Sequence, residues 1–179
     1  MRATVAAVLG ALGATLACRG ASRPTATISP ADSADQMLIG MSHYVTADGV
    51  QRARVRADTA YLYSNSQSAM LEAVHITFFS MAGAQTSTLT AKGGTYYWRT
   101  GDMEARGNVV VVTTDGRTLR TEAMHYSEVR NEVTSDGRFT FDGPQRHIEG
   151  EGFVSDPDFK NVVAKHPRGS GGQFTLPNQ

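Results

Sequence analysis

Hydrophobic and polar residues alternate along most of the chain between residues 51 and 165, most clearly over 89–115, LTAKGGTYYWRTGDMEARGNVVVVTTD. There Leu89, Ala91 and Gly93 alternate with Thr90 and Lys92, and a turn of Thr100, Gly101 and Asp102 follows. Met103, Ala105, Val109 and Val111 then share one parity, and Asp115-Gly116 closes the run. A period of two bounded by Gly and Asp turns predicts a pair of half-buried β-strands. The layout recurs from Leu119: Thr121 stands where Ala91 does, Tyr126 where Tyr96 does, and Asp136-Gly137 is expected to close the unit. Ile148 opens a third copy and Val55 an earlier, looser one. Openings at 55, 89, 119 and 148 predict one two-stranded unit repeated about four times.

The flanking segments read differently. Residues 36–45, QMLIGMSHYV, fit a short amphipathic helix or an opening strand, with a turn at Asp48-Gly49. In 51–63, Ala53, Val55, Ala57, Tyr61 and Tyr63 share one parity, while Arg52, Arg54, Arg56 and Asp58 share the other, which predicts one buried and one wet face. Such an arginine row is ordinarily a solvated face; an anion patch is the alternative. Residues 70–79, MLEAVHITFF, are nearly continuous in apolar side chains, so both faces are covered there or one meets a partner. Tyr96 and Tyr126 lie seven residues after Leu89 and Leu119, on the opposite parity. Either they face outward or a bulge, with Gly93-Gly94 a candidate, switches the phase. Tyr97 and Trp98 beside them form a packing corner or one end of an apolar groove. Gly150 and Gly152 weaken a strand but allow close backbone approach, and Asn161 to Lys165 offers a last short strand.

Stacking these units gives roughly eight strands, whose apolar faces close on one another as a jelly roll or folded sheet. The predicted inward set is Val55, Ala57, Leu71, Ala73, Leu89, Ala91, Met103, Ala105, Val109, Val111, Leu119, Ala123, Val133, Phe139 and Phe141. Alanine recurs in it, at 57, 73, 91, 105 and 123. A tightly filled core would offset small side chains with large ones, so the alanine lane suggests an apolar slot for hydrocarbon. Each buried methylene would contribute about 0.8 kcal/mol. The opposing expectation is that tyrosines and phenylalanines fill the slot.

Composition narrows the function classes. The 179 residues predict a single domain, and a formal net charge of zero argues against nucleic acid as a partner. The one cysteine, Cys18, follows an apolar stretch from Ala3 to Ala17 with Arg2 before it. That stretch is too short to span a bilayer and predicts a signal peptide over 1–17. Leu16-Ala17-Cys18 resembles a lipoprotein cleavage site, with Thr15 where Leu is more usual. Acylation at Cys18 would anchor the chain to a membrane, since two or three acyl chains hold stably where one does not. An ordinary secreted protein with an incidental cysteine is the alternative. Residues 18–35 are Ser/Thr/Ala/Pro-rich and predict a flexible tether, 36–165 the folded domain, and 166–179 a disordered tail.

No constellation carries chemistry. The five histidines, His43, His75, His125, His147 and His166, show no ligand spacing, so no metal or other cofactor is expected. Asp156 and Asp158 flank Pro157 without the glycine and glutamate of a calcium loop, and predict a turn. Glu149 and Glu151 share a strand face, the only pair from which a glycosidase could be built. No catalytic residue is assigned, and a binding or transport role is favoured over an enzyme.

The order of motifs is itself informative: YVTADG, RVRADTAYLY, LTAKGGTYYWRTGDMEARGNVVVVTTDG, LRTEAMHYSEVRNEVTSDG, then IEGEGFVSD. Over about residues 36–165 the chain resembles the LptC family, the periplasmic component of the lipopolysaccharide export machine, and is similar to the related LptA/OstA-type repeats. The resemblance implies an all-β, twisted, V-shaped jelly roll, open at its ends, that binds lipopolysaccharide acyl chains along the inward set. It implies edge-to-edge pairing with an inner-membrane ABC transporter on one side and an LptA-like bridge protein on the other. The second edge would fall near Gly150, Gly152, Val154, Val162 and Val163. Family members usually carry an N-terminal transmembrane helix; here the leader ends in a cysteine followed by Arg19, so an inner-membrane, periplasmic location follows from the family role alone. A structural or adhesive β-repeat lipoprotein with a filled core is the alternative function.

Overall fold

The computed structural model describes residues 29–168, apart from 48 and 145. Cys18, the leader, most of the tether and residues 169–179 lie outside the described residues. A 3-10 turn, Pro30–Asp32, leads into nine strands: β1 Gln36–Ala47, β2 Val50–Tyr63, β3 Ser68–Phe79, β4 Gln85–Tyr97, β5 Met103–Thr113, β6 Thr118–Ser127, β7 Glu132–Gly143, β8 Arg146–Ser155 and β9 Val163–Arg168. They form one antiparallel sheet in chain order. Residues 36–45 are therefore strand, not helix, and His166 to Arg168 continue β9 rather than beginning a tail.

The sequence repeat is a rung of this ladder. Val55 pairs with Ile76, Ile76 with Leu89, Leu89 with Val111, Val111 with Leu119, Leu119 with Phe141 and Phe141 with Ile148. All four repeat openings thus lie on one line across the sheet, here called the upper rung. A second, lower rung runs through Leu62, Ala69, Tyr96, Met103, Tyr126, Val133 and Ser155. Directly paired residues share a face, and most members of both rungs are buried or half-buried.

Both rungs can face inward only because the pleat changes phase between them. The registers shift between Thr90 and Gly93, Arg106 and Val109, Thr121 and His125, and Ser135 and Arg138. Ala73, Gly107, Asn108 and Gly152 take left-handed backbone in the same zone. A bulge bends its strand and sharpens its twist, so a line of bulges creases the whole sheet into two arms. The crease also frees carbonyls, and hydroxyls take them. Ser135 Oγ donates to the Ala123 carbonyl (2.7 Å) and Thr121 Oγ1 to that of Arg138 (3.0 Å). Space is tightest at Gly94, where an added Cβ would stand 2.6 Å from the Glu104 carbonyl oxygen.

The crease corrects three expectations. Ala73 and Ala123 sit in it and are exposed, while their neighbours Val74 and Met124 take the inward places. Asp136-Gly137 does not close a unit but lies at the bend inside β7. Among the described residues the sheet edge is β9, so Gly150, Gly152 and Val154 are interior, with β8 paired to β7 on one side and β9 on the other. Val163 alone of the predicted edge set lies on an edge strand, and Val162 just precedes it.

The other inward residues are buried except Met103, which is half-buried. Phe139 and Phe153 meet edge to face at 5.1 Å and fill the β7–β8 side, with Phe141 close by in sequence and also buried. The opposite edge is bare: on β1, Ile39 is 80% and Met37 53% exposed.

Gly94→Ala is expected to lower unfolding stability by about 1–3 kcal/mol in urea titrations, the range for strained or overpacked substitutions. Gly137→Ala, whose Cβ would meet nothing nearer than 3.9 Å, should be close to neutral; equal effects would contradict the crowding at the crease.

Candidate functional site

Between the arms lies a cavity of about 520 Å³, within the size range of small-molecule sites. The upper arm contributes Val45, Ala53, Ile76, Phe78 and Leu89; the lower arm Met103, Ala105, Met124 and Val133. Phe159, in the loop between β8 and β9, forms part of the wall. Polar groups also line it: Arg52, Arg99, Glu104, Glu128, Asn131 and Asp158, with Tyr96 and Tyr126. The arrangement is an apolar slot with charged groups of both signs, able to take hydrocarbon inside and a polar head outside.

Register positions the tyrosines. Tyr96 and Tyr126 both pair with Met103 on the lower rung, so the bulge, not an outward orientation, resolves their odd spacing. Tyr96 meets the His43 ring from β1 at 5.8 Å between centroids, a contact from the edge strand to β4. The Tyr126 hydroxyl donates to Glu128 at 2.7 Å, and the Glu128 backbone N–H donates to Asp102 at 3.0 Å. Burial first, and the adjoining Glu128 carboxylate second, push the Tyr126 phenol well above its ordinary range. Tyr96 is raised for the same two reasons. Both are therefore neutral hydrogen-bonding groups at physiological pH.

Of the predicted interior residues, Leu89, Met103, Ala105 and Val133 line the cavity. Val55, Ala57, Leu71, Ala91, Val109, Val111, Leu119, Phe139 and Phe141 are buried in the surrounding core. The inward set left out Ala53, although its parity with Val55 and Ala57 was read as the buried one, and the pattern missed Ile76, Met124 and Phe159. Met124 was hidden by the phase change, and Phe159 by lying in a loop that period-two alternation does not describe. The arginine row also divides. Arg56 is exposed and Arg54 half-buried, but Arg52 lines the cavity, its guanidinium reaching the Met81 sulfur. A register shift at Val45/Thr46, beside it in the ladder, breaks the row there. Trp98 is 40% exposed at the β4–β5 turn and does not line the slot.

Glu149 and Glu151 are on the outer face. Glu149 pairs with His147 at 3.1 Å and Glu151 with Arg168 at 3.6 Å, and neither of these two lines the cavity. His147 also meets Asp142 at 2.6 Å, and these two carboxylates raise its pKa, Asp142 foremost. Asp156 Oδ1 accepts from the Lys160 N–H and Oδ2 from the Asn161 N–H, which makes the predicted turn a tight loop.

The family described as "Lipopolysaccharide-assembly, LptC-related" matches residues 3–163. No curated protein matches the chain. Among solved structures, the crystal structure of LptH, the LptA-homologous periplasmic component of the conserved lipopolysaccharide transport device from Pseudomonas aeruginosa, is similar at 21% identity. The alignment has a TM-score of 0.52 and covers 70% of this chain and 89% of that one. That likeness supports the same fold.

The raised Tyr126 pKa has a defined sign. A phenol favoured in its neutral form when folded contributes stability that is complete below about pH 10 and is lost as pH rises toward the folded value. Ultraviolet titration should show one phenolate appearing well after the others, absent from Tyr126→Phe. A wild-type curve in which all tyrosines ionise together would contradict the burial of this ring.

Proposed function

The chain belongs to the LptC-related lipopolysaccharide-assembly family, and from that premise we propose that it carries lipopolysaccharide by sheltering acyl chains in the slot between its arms. The family gives the role in lipopolysaccharide transport. The observation that carries the finer reading is the cavity of about 520 Å³ walled by Ile76, Leu89, Ala105, Met124 and Val133. A packed jelly roll would leave no such space. Hydrocarbon entering it leaves water at about 0.8 kcal/mol per methylene. No covalent step is needed, and the polar lining suits a sugar-phosphate head held outside.

In this reading the two bare edges serve assembly. Among the described residues, β1 and β9 are the two edge strands, and the backbone groups along an edge can recruit a further strand by β-augmentation. One edge would meet the inner-membrane transporter and the other an LptA-like bridge protein, so that slots align end to end. Acylation of Cys18 would hold the chain at the membrane on the periplasmic side. A filled structural module is favoured near Phe139 and Phe153, whose buried rings meet edge to face.

Photoreactive residues at Leu89 or Met103 should capture lipopolysaccharide in cells, and those at outward Val112 or Met70 should not. Met103→Lys should reduce capture from Leu89 several-fold while circular dichroism stays that of a folded sheet. Capture equal at inward and outward positions, or at none, would sink the acyl-chain reading.

A further inference from the structure

We propose that Phe159 is an internal competitor for the acyl chain, its ring closing one end of the slot and Arg117 latching it there, so that this pair sets the chain length accepted. The inference rests on the reading of the slot as an acyl-chain site. Loop residues ordinarily lie on the surface, yet Phe159 is only 2% exposed and forms part of the cavity wall. Its backbone takes φ +54°, where the β-carbon of a bulky residue is crowded. Such a conformation persists only where its surroundings over-determine it.

The surroundings do so from both arms. On its own loop, the Phe159 N–H donates to the Asp156 carbonyl at 3.0 Å. The Asp156 carboxylate holds the backbone of Lys160 (3.0 Å) and Asn161 (2.9 Å) and the Asn161 side chain (2.8 Å). From the β5–β6 turn, Arg117 Nη1 donates to the Phe159 carbonyl at 2.5 Å. Arg117 is aimed in turn by Asp115, with Nε at 2.9 Å and Nη2 at 2.8 Å from its carboxylate oxygens. Arg117 precedes Leu119 of the upper rung, and the loop follows Ser155 of the lower rung. The contact therefore ties the two arms together at the end of the slot. A phenyl ring offers the same kind of surface as a methylene chain, so a longer chain gains burial only by moving it.

The test uses the full-length protein and two saturated fatty acids read by competition with a bound fluorophore, decanoic acid as the short probe and octadecanoic acid as the long one. Phe159→Ala should bind the long probe about tenfold more tightly, the effect of roughly two more buried methylenes, and the short probe unchanged. Arg117→Gln keeps the ring but frees the loop, and should show a smaller gain for the long probe only; it also serves if Phe159→Ala does not fold. Folded variants that bind the long probe no better than wild type, or that gain equally for both probes, would overturn the inference while leaving the slot in place. Wild-type protein that binds neither probe would instead remove the acyl-chain reading, and this inference with it.

Discussion

The structure depends on one constraint: the strands between the two edges must turn a buried side inward on both arms of a creased sheet. A pleated strand alternates strictly, so residues seven apart face opposite ways. Val55 and Leu62, Leu89 and Tyr96, and Leu119 and Tyr126 are each seven apart and each pair lies on inward rungs. The phase change between them reconciles local geometry with the shared core. It works as a line rather than a set of separate defects, because each register shift lies beside its neighbour's. Bulges leave ladder groups unpaired, and an unpaired buried group costs about 1–3 kcal/mol. The hydroxyls of Thr121 and Ser135 meet that cost at the crease itself.

Filling the creased sheet is uneven. Toward β7 and β8 the core is aromatic, with Phe139, Phe141 and Phe153 buried. Toward β2 and β3 alanines are interspersed with the larger buried side chains, at Ala53, Ala57, Ala60 and Ala69. Two arms held apart by bulky residues at one end cannot meet where the side chains are short. The slot is what remains. Of the predicted alanine lane, Ala57, Ala91 and Ala105 are buried and Ala105 lines the slot, while Ala73 and Ala123 lie exposed on the crease.

The polar lining follows the same logic. The two lower-rung tyrosines bury most of their rings against the core and keep a hydroxyl for the polar side. Tyr126 uses it on Glu128, which Asp102 also holds through its backbone. A neutral phenol bonded to a carboxylate adds polarity there without adding charge. This lining is polar enough to meet water, while the wall behind it stays apolar.

Much of this was legible in the residues alone. Strands, turns and a repeat of about 30 residues follow from alternation and from Gly and Asp signals, since those are properties of a few neighbouring residues. Most of the inward set followed too, because away from the crease the period of two holds without interruption. The order of motifs was enough for the family. The paired glutamates were never more than a strand-face coincidence, and the structure puts them outside. What tertiary structure decided was everything across the crease or across the slot: the facing of Tyr96 and Tyr126, the exposure of Ala73 and Ala123, the burial of loop residue Phe159, and β9 rather than β8 as the edge. Alternation reports only relative facing along an unbroken strand, and a single extra residue reverses it. Contacts such as Arg117 with Phe159, 42 positions apart, exist only once the arms have folded together.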